Sequence, residues 1–427
     1  KADTVIFDEA HQIPDTATNF LGSMVSMGEL MTLLKEIERA MSVNATKVLE
    51  WDKECAKVEF EVRELRLEAR GIEDMPGKRA VYDKIPDAEN VHPVLDKLVI
   101  QMANLCDKIK PFQDKHPDVQ AVYTRLAALY DGLHNWAYPE LHKHEDDDVY
   151  VRWIDYGNQH MRFSRAPLSV KNFGGFKRDD QAWIFTSATL TVNQGFEHFT
   201  QQLGLYDAQC LMWDSPFNYQ DNALLYVPQN LPDPRSEAYS QAFVKTLLPF
   251  IKKTPGGVLI LCTTLRAVDT ISELLIEAFD KESINRAVMR QGESTRGLLL
   301  QRFREENQPV LVGSASFWEG VDFPGNLLTL VAIDKLPFAP PDDPVLEARM
   351  NECKEKGGNP FMQIQIPAAV IALKQGAGRL IRTEQDSGVL IIGDGRLVEK
   401  FYSKLLWKSL PDFYRTRDPE VGLDFWP

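Results

Sequence analysis

The stretch VIFDEAH, Val5 to His11, decides the fold class because it places two carboxylates directly after a short apolar run. In open α/β sheets, ligands bind outside the carboxyl ends of the strands. Mg²⁺ is usually held by one or two carboxylates together with substrate phosphates. The stretch therefore predicts an α/β fold in which Asp8 holds Mg²⁺ and Glu9 orients an attacking water as a general base. Capping of the next helix by the same carboxylates is the structural alternative.

Four later apolar runs predict a second sheet. They are GVLIL at 257–261, PVLVG at 309–313, LLTLVAI at 327–333 and GVLII at 388–392. Short continuous apolar runs that alternate with helices are typical of a parallel sheet covered on both faces. A further run, AWIF at 182–185, predicts a second strand of the sheet that TVIF at 4–7 begins.

A long segment with helical spacing separates TVIF from AWIF, as in LMTLLKEIERAM at 30–41. Alternating runs on both sides of Tyr156-Gly157-Asn158 predict a hairpin near its end. We therefore predict a chain in three parts. Residues 1–20 with 165–204 form part of one α/β domain, 21–164 form an all-helical insertion ending in that hairpin, and 205–427 form a complete second α/β domain.

Composition narrows the class of protein. A formal net charge of −14 argues against coating nucleic acid through overall charge, although it leaves room for a local basic groove. The five cysteines are odd in number and far apart, which favours reduced thiols.

No apolar run reaches the ~18 residues of a membrane span and no leader pattern is present, so we expect a cytoplasmic protein. The chain opens on a core strand without Met, which predicts a fragment of a longer protein.

Hydroxyls and arginines mark two further candidate segments. In TSATL, Ser187 and Thr189 follow a strand, where they can hydrogen-bond the first carboxylates or simply cap a helix. In QGAGRLIR, Arg379 and Arg382 are three apart on a predicted helix and would share one face. Two guanidinium groups on one face suit a transferring phosphate, and a solvent-facing pair is the alternative.

The segment SASFWEGVDFPG adds an acidic loop. Gly320 permits a tight turn, while Glu319 and Asp322 are available to a ribose or to a partner arginine. Phe317 and Trp318 could stack on a base, while core packing is favoured for at least one of them. The four segments, in this order across two α/β blocks, predict a nucleotide cleft between two domains.

The same segments carry a resemblance. DEAH, SATL, SFWEGVDFPG and QGAGRLIR resemble motifs II, III, V and VI of superfamily 2 helicases. The insertion resembles the arch domain of the XPD/DinG iron-sulfur group, and FWEGVD, IDKLPF and DDP are similar to its bacterial DinG-like and YoaA-like branch. The resemblance spans nearly the whole chain and implies RecA-like parallel-sheet helicase domains, one partial and one complete.

The resemblance implies a role for each matching residue. Catalytic roles fall to Glu9, Arg379 and Arg382, with Arg382 as the arginine finger. The nucleotide and its Mg²⁺ would be bound by Asp8, His11, Glu319, Gly320, Asp322 and Gln375. Ser187 and Thr189 would couple hydrolysis to DNA movement. LCTTLRA resembles the motif IV region, so DNA contacts would come from Thr263, Thr264 and Trp318.

The sequence also departs from the family. The phosphate-binding pattern G-x-x-x-x-G-K-[ST] does not occur in it, and in the family that loop lies upstream of DEAH. The four cysteine ligands of the family's [4Fe-4S] cluster lie between those two motifs. We therefore expect ATP and Mg²⁺ as cofactors, an iron-sulfur cluster in the parent protein but not in this chain, and a fragment that is inactive alone.

The implied function is an ATP-dependent DNA helicase that moves 5′ to 3′ on single-stranded or forked DNA in repair or replication. One alternative is a module that binds a replication or repair partner. For YoaA-like proteins the expected partner is the chi subunit of the clamp loader, bound through the C-terminal region. A helicase that acts on RNA is the other alternative, and no membrane partner is expected.

Overall fold

A computed structural model describes residues 2–44, 50–142, 149–158, 161–318, 320–321, 323, 325–340 and 342–426. The strands of these residues are β1 Thr4–Phe7, β2 Ser23–Ser26, β3 Arg79–Val81, β4 Tyr150–Tyr156, β5 Met161–Pro167, β6 Ala182–Phe185, β7 Ala223–Tyr226, β8 Gly257–Leu261, β9 Val288–Arg290, β10 Val310–Gly313, β11 Leu328–Ile333, β12 Gly388–Ile392 and β13 Tyr414–Thr416.

The α-helices of the same residues run between the strands and after them. They are α1 Ile13–Leu21, α2 Met27–Asn44, α3 Trp51–Glu68, α4 Ala88–Ile109, α5 Pro117–Ala137, α6 Glu197–Leu203, α7 Tyr219–Asn222, α8 Tyr239–Lys253, α9 Leu265–Glu282, α10 Arg296–Glu305, α11 Ala315–Trp318, α12 Pro344–Glu355, α13 Ile366–Ala377, α14 Arg396–Glu399, α15 Ser403–Ser409 and α16 Pro419–Leu423. None of these described helices has both the length and the apolarity needed to cross a bilayer.

The first lobe consists of β1 and β6 with helices α1 and α6. The two strands pair in parallel, with Phe7 opposite Phe185, and their rings stack at a centroid distance of 4.9 Å. This pairing confirms that AWIF continues the sheet that TVIF begins. Because the strands are parallel, both carboxyl ends reach the same edge, and the residues that follow them become neighbours.

The insertion consists of helices α2 to α5 and strands β2 to β5. Its helices bury one apolar stripe each, as α2 does with residues at helical spacing between Leu30 and Met41. The predicted hairpin is confirmed, since β4 and β5 pair antiparallel from Tyr150 opposite Pro167 to Tyr156 opposite Met161. The insertion is not all-helical, however, because β2 and β3 extend the hairpin to a four-stranded sheet in the order β2-β5-β4-β3.

The second lobe is a seven-stranded parallel sheet with the order β13-β7-β12-β11-β8-β10-β9. Alternate residues of β8 explain why its sequence is continuously apolar. Val258 and Ile260 pack into the core beneath α8 and α9, whereas Leu259 and Leu261 pack into the opposite core beneath α13. The prediction of a parallel sheet covered on both faces is therefore confirmed.

The end of the chain is part of this lobe. Strand β13 pairs in parallel with β7 at the edge of the sheet, and α16 packs beside α8 and β7. Trp426 is 4% exposed and belongs to the core that contains Phe250. The C-terminal region is therefore a structural part of the second lobe and does not extend from it as a separate peptide.

We predict that Trp426→Ala lowers the free energy of unfolding by about 3–5 kcal/mol, because a buried indole is replaced by a cavity. Val421→Ala, at a position that is 37% exposed, is the matched control and should change stability by less than about 0.5 kcal/mol. Urea unfolding of the chain measures both. Equal midpoints for the two variants would show that the tail is not part of the core.

Candidate active site

The acidic pair lies at the carboxyl end of β1, next to the residues that follow β6. Both side chains are exposed at this edge. The Thr186 hydroxyl donates to Asp8 Oδ1 at 3.0 Å, and the Ala10 amide donates to the Thr186 carbonyl at 2.9 Å. Glu9 adopts φ 48° and ψ 43°, in the left-handed region. A non-glycine residue is held there at a cost of roughly 1–2 kcal/mol, so the surrounding contacts fix where the Glu9 carboxylate points.

Ser187 and His11 link this pair to the next motif. Glu9 Oε2 lies 3.4 Å from both His11 Nδ1 and Ser187 Oγ. His11 Nδ1 in turn lies 2.9 Å from Ser187 Oγ, and the His11 side chain is only 4% exposed. Ser187 Oγ also lies 3.3 Å from Thr189 Oγ1 and accepts from the Thr189 amide at 3.2 Å. Four predicted residues from two motifs therefore share one hydrogen-bonded cluster.

Gln375 connects the first lobe to the second. It is buried in the last turn of α13, and its Nε2 donates to Thr189 Oγ1 at 2.6 Å. The same nitrogen lies 3.4 Å from His11 Nε2. Its carbonyl oxygen accepts from Arg379 Nη2 at 3.0 Å. A continuous path of hydrogen bonds therefore runs from Glu9 in the first lobe to Arg379 in the second.

Lys374 is a second contact between the lobes, and the sequence analysis did not identify it. Its Nζ donates to the Thr191 carbonyl at 2.8 Å and to Thr191 Oγ1 at 3.1 Å. Burial lowers the pKa of Lys374, so the ammonium group depends on these two acceptors. A lysine in the last turn of a helix is also common as a partner for the helix dipole, so its residue type carried no distinct signal.

The two arginines are not on a helix, so that part of the prediction is wrong. Helix α13 ends at Ala377, and Gly378 forms its C-cap. Two glycines within three residues weaken the helix there, because glycine is about 1 kcal/mol less favourable than alanine in a helix. Arg379 and Arg382 are nevertheless brought together, because each donates to the Val321 carbonyl at 2.9 Å.

The two arginines differ in how deeply their side chains are buried. Arg379 is 6% exposed and also donates from Nε to the Trp318 carbonyl at 2.8 Å, which fixes it in the loop that contains Val321. Arg382 is exposed. Of the two, Arg382 is the exposed side chain, whereas Arg379 holds Gln375 in place.

Asp386 holds the loop that carries Arg382, and the sequence analysis also missed it. Its carboxylate accepts from the amides of Arg382 and Thr383 at 2.7 and 2.9 Å, and from the Thr383 hydroxyl at 2.6 Å. It also accepts from the Gly325 amide at 3.1 Å. Burial raises the pKa of Asp386, but the hydrogen bonds it accepts outweigh burial and leave the pKa below its ordinary value. A lone aspartate in a polar loop gives no sequence signal for such a role.

The glycine loop is described in part, because Glu319 and Asp322 lie outside the described residues. Gly320 has φ 61°, as predicted for a tight turn, and its carbonyl accepts from Arg296 Nη2 at 2.8 Å. Trp318 is 5% exposed, packs against Gly376 and directs its Nε1 to the Cys262 carbonyl at 3.3 Å. The prediction that Trp318 stacks on a base is therefore wrong, because a ring buried in the core presents no face to DNA.

Thr263 and Thr264 follow β8 at the carboxyl edge of the large sheet. Thr264 is exposed, and its hydroxyl caps α9 by accepting from the Ala267 amide at 3.2 Å. The Thr263 amide donates to Asp334 Oδ1 at 3.1 Å. The capping hydroxyl of Thr264 still has a proton to donate, so its contact with DNA stays a prediction.

The acidic edge fits Mg²⁺ bound together with a nucleotide. Mg²⁺ keeps several waters and is commonly held by one or two carboxylates plus substrate phosphates. Asp8 and Glu9 offer that number of exposed oxygen ligands. Within the described part of the chain, no group of three or more His, Cys, Asp or Glu residues could hold a metal ion by itself.

Known proteins are similar to this chain in both sequence and fold. The helicase C-terminal domain family matches residues 247–413. The ATP-dependent DNA helicase YoaA of Escherichia coli K12 is 36% identical over 98% of this chain and 64% of its own length. The chain is therefore similar to the YoaA/DinG group of helicases. Within this group, the ATP-dependent DNA helicase DinG of Photobacterium profundum is 28% identical over 96% of this chain and 64% of its own length.

The fold agrees with this assignment. A solved XPD helicase structure matches with a TM-score of 0.58 at 16% identity, over 97% of this chain and 68% of that chain. The match supports RecA-like helicase domains as the fold class. The chain spans 64% of the length of its YoaA and DinG relatives.

We predict that Asp386→Asn lowers the free energy of unfolding at pH 7 by roughly 1.5–3 kcal/mol, because charged acceptors make the stronger hydrogen bonds. The folded-state pKa of Asp386 is below its ordinary value of 3.8, so this contribution is fully present above pH 3.8. It is lost as the pH falls through the lower folded-state pKa. The stability difference between the wild type and the variant should therefore shrink in acid.

Urea unfolding at pH 7 and at a series of lower pH values measures this difference. The control is Asp214→Asn, at an exposed position in the segment before α7, which should change stability by less than about 0.5 kcal/mol. A difference for Asp386→Asn that is absent at pH 7, or that grows in acid, would contradict the role given to this carboxylate.

Proposed function

We propose that this chain belongs to an ATP-dependent DNA helicase and forms the part of its motor that responds to the nucleotide. The observation that carries the proposal is the hydrogen-bonded path from Glu9 through Thr189 and Gln375 to Arg379. It joins an acidic strand end to an arginine of the other lobe. Through this path, a change at the nucleotide would alter the hydrogen bonds that hold the two lobes in their relative position.

We assign the roles around ATP from the exposure of each side chain and from its hydrogen-bond partners. Asp8 would hold Mg²⁺, which when bound neutralises charge on the phosphates. Glu9 would orient the attacking water and accept its proton, with Ser187 and His11 beside it to hold the carboxylate. Arg382 is exposed and would contact the transferring phosphate as an arginine finger. Arg379 is buried and would position Gln375.

The nucleotide site would also draw on the glycine loop. Glu319 and Asp322 keep their proposed role near the ribose, and the turn at Gly320 supports it through the Arg296 hydrogen bond. A [4Fe-4S] cluster of the kind found in this group would need cysteine ligands from outside this chain. The five cysteines here are free thiols spread over the insertion and residues 205–427.

DNA is the proposed substrate, with movement 5′ to 3′ along a single strand, in repair or replication and in the cytoplasm. E. coli YoaA and P. profundum DinG are both named ATP-dependent DNA helicases, which supports DNA over RNA. Thr264 would contact the backbone through its exposed hydroxyl, since hydroxyl contacts to phosphate fix register without reading sequence, whereas the predicted contact of Thr263 is not favoured because its hydroxyl oxygen is buried. Competition between DNA and RNA strands of matched sequence separates the two substrates, and equal competition would favour the RNA alternative.

The three parts predicted from the sequence remain our proposed domain division. Residues 1–20 with 165–204 would form the partial motor domain, 21–164 the arch and 205–427 the complete motor domain. The cores support it, because the buried residues of α2 to α5 form one cluster that is separate from the two cores of the second lobe.

A partner-binding role is the second proposal, with the chi subunit of the clamp loader as the partner. Tyr414 on the edge strand β13 and Val421 on α16 are exposed apolar residues near the C-terminus. Because Trp426 is core, point substitutions test this surface better than removal of the tail. Tyr414→Ala with Val421→Ala should abolish binding of purified chi while leaving unfolding unchanged, and undiminished binding would rule out this surface.

We predict that Glu9→Gln and Arg382→Ala, each made in the full-length gene product, lower DNA-stimulated ATP hydrolysis by about 10³-fold or more. Glutamine cannot accept a proton from water, and alanine removes the charge that stabilises the transferring phosphate. Binding to single-stranded DNA, measured by fluorescence anisotropy, should be retained in both variants.

Arg235→Ala is the matched control, because Arg235 is exposed and pairs with Asp233 on the surface of the same lobe. It should hydrolyse ATP at the wild-type rate. Unchanged hydrolysis in both Glu9→Gln and Arg382→Ala would refute the motor assignment and would favour the partner-binding role.

A further inference from the structure

Helix α12 belongs to the second lobe in sequence but contacts the first lobe and the insertion. The segment Asp342-Asp343-Pro344 starts it: the Asp343 carboxylate accepts from the Leu346 amide at 2.7 Å, and Pro344 occupies the first turn. These residues therefore set where the helix begins. They also determine which residues of the helix face the rest of the molecule.

Arg349 connects α12 to the first lobe. Its Nη2 donates to Thr18 Oγ1 at 2.9 Å, and its Nε donates to the Leu168 carbonyl at 2.8 Å. Thr18 is buried in α1, the helix that begins two residues after His11, and its hydroxyl donates to the Pro14 carbonyl at 2.7 Å. One guanidinium group therefore contacts the helix that follows the acidic strand end and the chain that returns from the insertion.

The Arg349 contact is largely shielded from water. Burial lowers the pKa of Arg349, while the nearby carboxylates Asp15, Asp343 and Glu352 raise it. Hydrogen bonds from a desolvated cation are stronger than those made in water, and they are costly to leave unmade. Movement of the second lobe therefore meets resistance at this contact unless α1 moves with it.

The same helix and its first turn also contact the insertion. Lys84 Nζ, in the turn Tyr82–Lys84, donates to Glu347 Oε1 at 2.5 Å. A Cβ at Gly77 would lie 2.7 Å from Asp342 Oδ2, so the backbone of the insertion passes close to the Asp342 carboxylate there. Four separate points of the first lobe and the insertion thus meet α12 or the residues that start it, namely Thr18, Leu168, Lys84 and Gly77.

We propose that α12 is a mechanical link between the lobes and the insertion, with Arg349 as the positioning residue that transmits movement through it. The proposal rests on the proposed motor function. The cluster of Lys374 and Gln375 joins the lobes at the nucleotide site, and α12 joins them at the base of the insertion. Closure of the lobes around ATP would then also shift the insertion, and so its grip on DNA.

The test separates hydrolysis from unwinding in the full-length gene product. Arg349→Ala should keep DNA-stimulated ATP hydrolysis within about twofold of the wild type and lower the base pairs unwound per ATP by tenfold or more. A residue that serves stability alone would lower both rates together with the unfolding midpoint. Lys356→Ala, at the C-cap of the same helix and paired only with Glu352 among the ion pairs of the described residues, is the control and should change neither rate.

The ion pair between Lys84 and Glu347 provides a second test of the link, and this test does not depend on whether Arg349→Ala folds correctly. Lys84→Glu and Glu347→Lys should each reduce unwinding per ATP, and the double variant should restore it. Normal unwinding in Arg349→Ala and in both charge reversals, beside an active wild type, would overturn the link alone. A wild type that hydrolyses no ATP in the presence of DNA would overturn the proposed function and the link with it.

Discussion

The structure depends most on one short hydrogen bond, from Gln375 Nε2 to Thr189 Oγ1 at 2.6 Å. It joins α13 of the second lobe to the segment that follows β6 of the first. The two lobes otherwise have separate cores, with Val192 of the first lobe packed against a core of the second, and the polar contacts of Gln375, Lys374 and Arg349 also join them. Polar contacts can break and re-form without exposing a large apolar area, which suits lobes that must open and close.

Surrounding residues orient the amide and the hydroxyl that form this bond. Arg379 fixes the Gln375 carbonyl oxygen, so the amide is oriented with its nitrogen toward the first lobe. The Thr189 hydroxyl is in turn held within reach of Ser187, which lies beside Glu9. The buried part of this network, between Thr189 and Gln375, is costly to leave unsatisfied, whereas its Glu9 end is exposed to solvent.

The sequence was sufficient for features that depend on local pattern, and insufficient for those that depend on tertiary packing. Continuous apolar runs revealed the strands of both parallel sheets. In the second lobe the reason is that strands buried on two faces need no polar alternation, whereas β1 and β6 of the first lobe alternate between exposed and half-buried residues. The same pattern could not reveal that Trp318 faces the core or that α13 ends before Arg379. Lys374 and Arg349 were missed because their partners are backbone or hydroxyl oxygens far away in sequence, and no spacing rule identifies such partners. Asp386 was missed because it accepts mainly from backbone amides, which every residue except proline carries.

A double-mutant cycle on Thr189→Val and Gln375→Ala, made in the full-length gene product, tests the coupling of the two lobes most directly. Its readout is the rate of DNA-stimulated ATP hydrolysis. If the bond couples the lobes, each single change should lower the rate and the double variant should be no slower than the worse single. Such cycles give interaction energies of about 0.5–3 kcal/mol for residues in contact. Losses that simply multiply, or rates that do not change, would show that the two lobes do not communicate through this bond.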